Sequence, residues 1–293
     1  GYVAAIRASQ LGLTTALVEK QKLGGTCLHQ GCIPSKALLR SAEVYQQAKR
    51  SDEYGIHTGQ VTVDFPRVHE RKNKIVDTLY KGIQQLMKKG KIDVFNGIGR
   101  IMGPSIFSPL PGTVSVEMND GSENEMLLPK HVIVATGSRP RTLSGINIDG
   151  EYVLTSDEAL ELQQLPQSLL IVGGGVIGIE WASMMSDFGV NVTVIEFAPT
   201  ILPAEDEEIA KEMQQLLQKK NITIATNAKL LPETFIKGDG QIIVKAMVNG
   251  DEKSFAAEKM LLSIGRLANV EGIGLENTEI EIKSGYIETN EHY

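Results

Sequence analysis

The sequence contains few cysteines and few aromatic residues, and neither sign of charge is in large excess. Only two cysteines, one tryptophan and 5% aromatic residues occur in 293 residues, whereas a secreted disulfide scaffold would use more cysteines. A cytosolic redox or metal-binding role is therefore the better expectation. No run of about 18 apolar residues occurs, which argues against a membrane span. The net charge of -7 gives no reason to expect nucleic acid or an anionic membrane as a partner.

The start of the chain looks like the middle of a structural element. Gly1 is followed by Tyr-Val-Ala-Ala-Ile-Arg-Ala, a helical pattern with no initiator methionine and no strand before it. We therefore expect a chain that is cut short at this end, so that any targeting peptide is hidden. The chain of 293 residues is long enough for two domains of ordinary size.

The sequence contains an internal repeat with an offset of 177 residues. Five pairs of positions match around a glycine: Gly1 and Gly178, Ala5 and Ala182, Ser9 and Ser186, Gly12 and Gly189, Glu19 and Glu196. In both copies a helical pattern leads to a glycine, and a strand pattern (13–19 and 190–196) then leads to a glutamate. Two copies of one nucleotide-binding unit predict two dinucleotides on one chain.

Further helices and strands are predicted around the two copies. The predicted helices are 34–50 and 66–89, and the predicted strands are 92–101, 113–118, 126–128 and 131–135. Turn residues predict loops around 104–112 and 139–150, and 150–166 is predicted to be a linker with a short helix. The second copy should occupy 168–266, after which the chain returns to the first domain.

These patterns predict an α/β fold with two Rossmann-like dinucleotide-binding domains. Three layers are expected, with parallel sheets plus small antiparallel sheets. The predicted boundaries are 1–150 for the first domain, 151–268 for the second and 269–293 for the start of the return.

The second copy contains a complete glycine fingerprint, Gly173-x-Gly175-x-x-Gly178. It follows the predicted strand 169–172, opens a helix and has Glu196 at the end of the next strand, as a dinucleotide site requires. The glycines let the backbone approach a pyrophosphate, and the carboxylate would accept hydrogen bonds from a ribose. Residues 197–210 contain acids but no lysine or arginine, so NAD is favoured over NADP. The alternative is a glycine-rich turn in an unrelated α/β fold.

Both cysteines lie in the segment 24–36, which reads GGTCLHQGCIPSK. Cys27 and Cys32 can be bridged if the chain turns at the start of a helix. Gly31 allows the turn, and Pro34 suits the first helical turn. Cys32 then lies at a helix N-terminus, where a thiolate is stabilised and its pKa falls, and Lys36 adds positive charge one turn later. This pattern favours a redox-active pair.

Two other interpretations of the same segment remain open. A purely structural disulfide needs only the two cysteines. Half of a zinc site would combine them with His29, although zinc would need further ligands, and no suitable cysteine or histidine stands nearby in the sequence.

The run GGTCLHQGCIPSKALL resembles the redox-active disulfide motif of the class I pyridine nucleotide:disulfide oxidoreductases. Within that family, the ending IPSKALL is similar to the dihydrolipoamide dehydrogenases. Glutathione reductases usually carry lysine where Ser35 stands, and mercuric reductases vary the residues after Lys36. GGGVIGIEWAS, ATGSRP and SIGR are further family landmarks, so the resemblance covers essentially the whole chain. His29 and the run LLRSAEVY resemble the enzymes of Gram-positive bacteria, which implies a cytoplasmic location.

The resemblance implies roles for the residues around the disulfide. Cys27 would be the interchange sulfur that meets the dithiol substrate, and Cys32 would be the charge-transfer sulfur beside the flavin. Lys36 would lie near the flavin N5 and pair with Glu180, which would otherwise be interpreted as a surface residue. Val176 would cover the flavin face where the nicotinamide enters.

The resemblance also implies FAD on the first copy and NAD on the second. The implied FAD contacts are Gly1, Glu19, Gly25, Thr26, Lys36, Gly99, Thr136, Gly137 and Ser138. The implied NAD contacts are Gly173, Gly175, Val176, Ile177, Gly178, Glu196, Ala228 and Gly265. Without the repeat and the resemblance, Glu19 would be an ordinary carboxylate at the end of a strand.

The chain departs from the family pattern at both ends. The N-terminal strand and the first two glycines of the flavin fingerprint are missing, and the chain stops at Tyr293. The C-terminal dimer-interface domain, with the His–Glu pair that completes the partner subunit's site, is also missing. The five histidines, His29, His57, His69, His131 and His292, do not stand in the context of that pair. We therefore expect the chain to be inactive on its own.

The family resemblance predicts a flavoprotein that transfers electrons from a dihydrolipoyl group to NAD. The expected partners are the lipoyl domain of a 2-oxo acid dehydrogenase acyltransferase and a second subunit of the full-length homodimer. A disulfide or mercuric reductase running in the opposite direction is the alternative within the family. An inactive NAD-binding fragment is the alternative outside it.

Overall fold

The chain divides into two compact units. The structure is a computed structural model that describes residues 1–103 and 112–292, so most of the loop predicted around 104–112 lies outside the described residues. The first unit comprises Gly1–His29, Val76–Arg139 and Leu267–Tyr293, and the second comprises Gln30–Ile75 and Pro140–Arg266. The domain boundaries drawn from the sequence stay a prediction.

The helices and strands are numbered in chain order. The helices are α1 (Tyr2–Gln10), α2 (Gly25–His29), α3 (Cys32–Lys49), α4 (Phe65–Lys89), α5 (Ser156–Ala159), α6 (Val176–Asp187) and α7 (Glu207–Lys219), with 3-10 turns at Ser51–Tyr54 and Leu275–Asn277. The strands are β1 (Ala16–Glu19), β2 (Asp93–Ile101), β3 (Val114–Met118), β4 (Glu125–Leu127), β5 (Ser138–Pro140), β6 (Val153–Leu154), β7 (Ser168–Val172), β8 (Asn191–Ile195), β9 (Thr223–Ala225), β10 (Ala228–Gly238), β11 (Gln241–Val248), β12 (Asp251–Ala257), β13 (Lys259–Leu262), β14 (Arg266–Ala268), β15 (Ile282–Lys283) and β16 (Tyr286–Ile287). Within the described ranges, no helix is long and apolar enough to cross a bilayer.

The first unit is built on a four-stranded sheet in the order β1-β2-β3-β4. Strands β1 and β2 are parallel, whereas β2, β3 and β4 form an antiparallel meander. Only six residues, 119–124, join β3 to β4, and so short a connection requires the two strands to run in opposite directions. The helices predicted at 34–50 and 66–89 are confirmed as α3 and α4, and the strands predicted at 92–101, 113–118 and 126–128 are confirmed to within two residues.

The strand predicted at 131–135 is wrong. This segment is in no helix or strand, and within the described part of the chain it has no ladder partner. Its residues Val132 and Ile133 are exposed. An apolar run satisfies the pattern of a buried strand, but a strand also needs a neighbour that accepts and donates backbone hydrogen bonds, and the pattern alone does not supply one.

The internal repeat is visible in the backbone geometry of both units. Gly12 ends the first copy of the helix at φ +84°, and Gly189 ends the second at φ +92°, a conformation that glycine adopts without a steric penalty. The amide of Gly12 donates to the Ser9 carbonyl, and that of Gly189 to the Ser186 carbonyl, both at 2.9 Å. The next amide in each copy donates five residues back, at 3.1 and 3.0 Å. The same sequence pattern therefore builds the same helix end twice.

The second unit has a five-stranded parallel sheet in the order β6-β13-β7-β8-β9. Alternate residues of β7 enter two separate cores. Leu169 and Ile171 join the core formed with helix residues such as Trp181, whereas Leu170 and Val172 join the core shared with the antiparallel sheet β10-β11-β12. Because both faces are covered, β7 is a continuous apolar run rather than an alternating one.

A buried lysine and a buried histidine lie together in the second unit, in the first turns of α4. Lys72 is 2% exposed and donates to the Leu160 carbonyl at 2.6 Å, with Glu161 at 3.3 Å. His69 is also buried and lies edge-on to the Phe65 ring at 4.7 Å. Burial and the charge of Lys72 lower the pKa of His69 below its ordinary value, against the opposing effect of Glu161. Burial therefore favours the neutral form of the His69 ring.

We expect acid to destabilise the second unit through His69. Its folded pKa lies below the ordinary value of 6.5, so the stabilisation is complete above that pH and is lost as the pH falls below it, where the unfolded chain binds the proton more readily. Urea unfolding at about pH 7 and about pH 5 should show a loss of stability that is smaller in His69→Leu. His57→Gln is the control, because His57 is exposed beside Asp52 and should leave the pH dependence unchanged. An equal pH dependence in His69→Leu and in the unchanged chain would contradict this account.

Candidate active site

The two cysteines are bridged at the start of α3. Cys27 lies in the short helix α2, which Gly25 opens at φ +67° and Thr26 continues, and Cys32 is the first residue of α3. Both cysteines are disulfide-bonded, and since the chain has no others they are bonded to each other. No side chain caps α3 at Gly31. The first-turn amides and the partial positive charge of this helix end are therefore available to stabilise a thiolate.

The side chains of Leu28 and His29 pack back against the turn that precedes Cys27. A Cβ at Gly24 would lie 2.4 Å from the Leu28 side chain, and the φ of +125° also requires glycine. His29 Nε2 lies 2.8 Å from the Leu23 carbonyl, and because a carbonyl only accepts, the ring nitrogen donates. The His29 ring also lies edge-on to Tyr80, at 5.3 Å. Among residues 1–103 and 112–292, no group of three or more histidine, cysteine or acidic side chains could hold a metal, which gives the zinc interpretation no further ligands.

Lys36 and Glu180 form an ion pair between α3 and α6, within the second unit. Lys36 Nζ lies 2.5 Å from Glu180 Oε1, and the two side chains are 59% and 30% exposed. The pairing that the family resemblance implies is therefore present. It places a positive charge one turn after Cys32 and fixes that charge to the helix that follows the glycine fingerprint.

We expect the Lys36–Glu180 pair to matter little for stability. Exposed ion pairs contribute about 0.2–1 kcal/mol, so Lys36→Ala or Glu180→Ala should lower the free energy of unfolding by less than about 1 kcal/mol. A double-mutant cycle in urea measures this coupling, with the exposed pair Lys245–Glu252 as the reference. A coupling of several kcal/mol would show that the pair holds α3 and α6 together, contrary to this account.

The glycine fingerprint forms a tight turn between β7 and α6. Gly173 has φ +111°, and a Cβ there would lie 2.4 Å from the Ser263 carbonyl oxygen. A Cβ at Gly178 would lie 2.0 Å from the Gly173 carbonyl oxygen, so α6 packs directly on the turn. Gly175 is the N-cap of α6, with no side-chain cap, and a Cβ there would meet open space. The turn therefore leaves helix amides and an unobstructed approach for a phosphate.

Glu196 lies at the carboxyl end of β8, against the glycine turn. Its Oε2 accepts from the Gly174 amide at 2.5 Å and its Oε1 from the Ala198 amide at 2.7 Å. The side chain is buried, yet each oxygen has a second lone-pair site for a ligand hydroxyl. Glu19, its counterpart in the first unit, is half-buried at the end of β1 and accepts from the Gln21 amide at 2.9 Å. Both acids therefore accept from the amide two residues ahead.

The other residues predicted to contact NAD lie around the same sheet edge of the second unit. Val176 and Ile177 begin α6, and Val176 is exposed whereas Ile177 is half-buried. Ala228 is buried at the start of β10, where its amide donates to the Glu196 carbonyl at 2.9 Å. Gly265 follows β13 at φ +107°. All of these positions therefore flank the carboxyl ends of the parallel strands, where α/β sheets bind ligands.

The residues predicted to contact FAD do not all lie in one unit: Lys36 is on α3 in the second unit, Gly25 and Thr26 begin α2, and the others lie in the first unit. Gly1 is the N-cap of α1, which has no side-chain cap, and Glu19 ends the neighbouring strand. A Cβ at Gly99 in β2 would lie 3.2 Å from the Val18 side chain. Glycine therefore leaves the surface of the strand at this position without a side chain. Thr136 and Gly137 precede β5, and Ser138 is the first residue of that strand.

Two residues that the sequence arguments did not single out hold these loops in place. Ser263 Oγ donates towards the Gly173 carbonyl at 3.0 Å and the Val172 carbonyl at 3.2 Å. Asn269 Nδ2 donates to the Thr136 carbonyl at 3.0 Å, and the Thr136 hydroxyl donates to the Asn269 carbonyl at 2.6 Å. Ser263 is the first residue of the run SIGR, which resembles the family as a motif without pointing to this serine in particular. No sequence motif points to Asn269.

The comparison with known families decides the identification. A family model described as pyridine nucleotide-disulphide oxidoreductase matches residues 1–293. The chain belongs to the pyridine nucleotide-disulphide oxidoreductase family. The repeat, the glycine turn and the bridged cysteines are the local features that this family member presents.

Curated relatives of this family member are similar over nearly the whole chain. A dihydrolipoyl dehydrogenase of Bacillus subtilis is 64% identical over 291 residues, which are 99% of this chain and 61% of the relative. Dihydrolipoyl dehydrogenase 2 of Arabidopsis thaliana, a mitochondrial protein, is 40% identical, and the match covers 100% of this chain and 57% of the relative. The chain thus spans about three-fifths of the length of these curated relatives.

Solved structures show the same fold for this oxidoreductase family member. LpdA from Mycobacterium tuberculosis superposes with a TM-score of 0.85 at 24% identity, covering 97% of this chain and 60% of that one. The HOCl-induced flavoprotein disulfide reductase RclA from Escherichia coli, solved as a Cu(II) complex, gives a TM-score of 0.80 at 26% identity and covers 98% of this chain and 58% of that one. The mixed α/β fold predicted from the sequence is therefore confirmed.

Proposed function

We propose that this chain contains the disulfide and the cofactor sites of a protein that oxidises the dihydrolipoyl group of a 2-oxo acid dehydrogenase complex, with FAD and NAD as cofactors. The observation that carries the proposal is the bridged pair Cys27–Cys32 at the uncapped N-terminus of α3. The 64% identity to a dihydrolipoyl dehydrogenase supports this substrate over other disulfides.

The second unit has the donor set that an NAD pyrophosphate and ribose require. Gly175 leaves open space at the end of an uncapped helix, and the buried carboxylate of Glu196 keeps lone pairs for ribose hydroxyls. The residues present therefore fit the cofactor, and Val176, exposed at the start of α6, is proposed to lie next to the nicotinamide.

The first unit has a corresponding set for FAD. Gly1 at the uncapped start of α1, Glu19 at the end of β1 and the glycine surface at Gly99 repeat the chemistry of the second unit. The backbone around Thr136 and Gly137 is held by Asn269 and is proposed to contact the flavin nucleotide. FAD, when bound, supplies a carrier for the electron pair between the cysteine pair and NAD.

The cysteines exchange with the substrate in two balanced steps. One substrate thiolate attacks Cys27 Sγ, the bond from Cys27 to Cys32 breaks, and Cys32 leaves as a thiolate. The second substrate thiolate then attacks the substrate sulfur of the mixed disulfide, which closes the cyclic disulfide and releases Cys27. The substrate gives two electrons to the cysteine pair, and its two thiol protons pass to the solvent as the attacking thiolates form. The amides and the partial positive charge at the start of α3 stabilise the Cys32 leaving group, and Lys36 adds to that field.

The proposed partners follow from the substrate. A lipoyl domain of an acyltransferase would present the dithiol, and the protein would act in the cytoplasm as a homodimer. The alternative is a disulfide reductase in which NADH reduces Cys27–Cys32, and the 26% identity to the Escherichia coli flavoprotein disulfide reductase is the observation in its favour.

We expect NAD to bind more tightly than NADP. A 2′-phosphate would face the Glu196 carboxylate, and residues 197–210 offer it no lysine or arginine. The preference should be at least about tenfold in Kd, which corresponds to about 1.4 kcal/mol. Calorimetric titration with both cofactors measures it, and equal or tighter binding of NADP would show that the specificity argument is wrong.

Thiol counting tests the proposed exchange on the chain itself. The oxidised chain is mixed anaerobically with dihydrolipoamide, desalted and titrated with a chromogenic disulfide. We expect the thiol count to rise from none to two per chain and to fall again after lipoamide is added, because the chain has only two cysteines. Cys27→Ser is the matched control, and its single thiol should not change. A count that stays at none would identify Cys27–Cys32 as a structural disulfide and contradict the proposed function.

A further inference from the structure

His29 stands between the two cysteines in the sequence, yet the proposed exchange makes no use of its side chain. It is the last residue of α2, two positions after Cys27, and it is half-buried. Its ring nitrogen Nε2 donates to the Leu23 carbonyl at 2.8 Å, across six positions of the chain. The side chain therefore ties the end of α2 to the backbone just before the helix begins.

The helix that carries Cys27 is too short to hold its own position. α2 has five residues, and a helix of so few residues is not stable by itself. Cys27 is exposed, so burial does not fix its side chain. Leu28, in contrast, is buried against the backbone of Gly24. In the absence of a covalent bond, the position of Cys27 therefore depends on the side chains of the two residues after it.

The effect of this hydrogen bond differs between the two redox forms. In the oxidised form, the covalent bond from Cys27 to Cys32 restrains α2 directly. In the reduced form that bond is gone, and the packing of Leu28 and the hydrogen bond of His29 restrain the Cys27 thiol. A thiol that is held in place has a high effective concentration towards its partner, whereas a thiol on a mobile segment has a lower one.

We propose that His29 is a positioning residue for the thiol–disulfide exchange, because its hydrogen bond to the Leu23 carbonyl holds Cys27 in place after reduction and speeds closure of the internal disulfide. This inference rests on the proposed exchange at Cys27–Cys32. The edge-on contact between the His29 ring and Tyr80, at 5.3 Å, supports the same orientation of the ring. The loss of one hydrogen bond changes an equilibrium constant by about twofold to tenfold.

Stopped-flow oxidation of the reduced chain by an aryl disulfide isolates the closing step. The Cys27 thiolate attacks one sulfur of the reagent and releases the first aryl thiol, at a rate that rises with reagent concentration. The Cys32 thiolate then attacks Cys27 Sγ, which releases the second aryl thiol and forms the internal bond, at a rate independent of reagent concentration. The reagent takes two electrons, and both thiol protons pass to the solvent. We expect His29→Ala to slow the second step by about threefold to tenfold and to leave the first within about twofold.

Two further substitutions separate the hydrogen bond from the packing of the ring. His29→Gln has an amide nitrogen the same number of bonds from Cβ as Nε2, so it should restore most of the rate of the second step. His29→Phe keeps a ring for the contact with Tyr80 but has no donor, so it should be as slow as His29→Ala. His57→Ala is the control, because His57 is exposed beside Asp52 and should leave both steps unchanged.

Equilibration with reduced and oxidised glutathione measures the same effect without kinetics. His29→Ala and His29→Phe should shift the chain towards the dithiol by about the factor that slows the second step, because the effective concentration of the thiols falls. Equal second-step rates in the unchanged chain, His29→Ala and His29→Phe would overturn the inference, as would His29→Gln as slow as His29→Ala. If the reduced, unchanged chain releases no second aryl thiol, the proposed exchange itself fails.

Discussion

Replacing Gly178 by alanine is expected to abolish NAD binding and to destabilise the second unit. The new Cβ would lie 2.0 Å from the Gly173 carbonyl oxygen and 2.7 Å from Ser263 Oγ, so either α6 or the glycine turn must move. Overpacking of a close contact costs about 1–3 kcal/mol in stability. Displacement of the turn should weaken NAD binding by at least about a hundredfold, which is about 2.7 kcal/mol.

Gly175→Ala is the matched control for Gly178→Ala. Gly175 has φ -74°, which any residue adopts, and its Cβ would meet open space. This variant should unfold at the same urea concentration as the unchanged chain, yet bind NAD weakly, because the methyl group occupies the path by which a pyrophosphate approaches the helix amides. The pair of variants, measured by urea unfolding and calorimetry, separates a folding defect from a blocked ligand. NAD binding unchanged in Gly175→Ala would contradict the assignment of the phosphate site.

Serine at Cys32 is expected to convert a transient mixed disulfide into a permanent one. In the reduced, unchanged chain, the thiol of Cys27 should attack a chromogenic aryl disulfide, after which Cys32 displaces the aryl thiol and restores the internal bond. Mass spectrometry should find two aryl thiols released and no adduct. In Cys32→Ser nothing resolves the intermediate, so one aryl thiol should be released and nearly every chain should retain an adduct at residue 27.

Cys27→Ser is the converse test of the two sulfurs. Cys32 would then be the only thiol, at the start of α3, and the family resemblance assigns it to the flavin rather than to the substrate. We expect its adduct to form more slowly than that of Cys27 when FAD is bound. Equal rates, or an adduct that persists in the unchanged chain, would show that the sulfurs do not divide their roles in this way.

The repeat explains why so much of the fold could be predicted from the sequence. Gly12 and Gly189 both end a helix at positive φ, and Glu19 and Glu196 both accept from the amide two residues ahead. These are local features, in which the residue type and its position determine the backbone geometry. The disulfide is also a local feature. Its two cysteines are five positions apart in the sequence, and the second begins a helix, which is enough to show that their sulfurs can form a bond.

The features that could not be predicted depend on contacts between distant parts of the sequence. The segment 131–135 has the pattern of a strand but no paired neighbour within the described residues. Asn269 reaches back 133 residues to hold Thr136, and no local pattern encodes this contact. The burial of Lys72 is a similar case, since a lysine in a basic helix is expected to be solvated until the Leu160 carbonyl is placed beside it.

Formation of NADH from dihydrolipoamide by the full-length, FAD-loaded protein that contains this chain tests the central claim most directly, since the chain by itself is expected to be inactive. The account predicts that the absorbance of NADH rises with added dihydrolipoamide and NAD, and that Cys27→Ser reduces the rate to the uncatalysed background while NAD still binds. Ile209→Ala, a change at an exposed residue of α7, should keep the full rate. NADH formation that continues in Cys27→Ser, or that is absent from an unchanged protein shown to bind both FAD and NAD, would contradict the account.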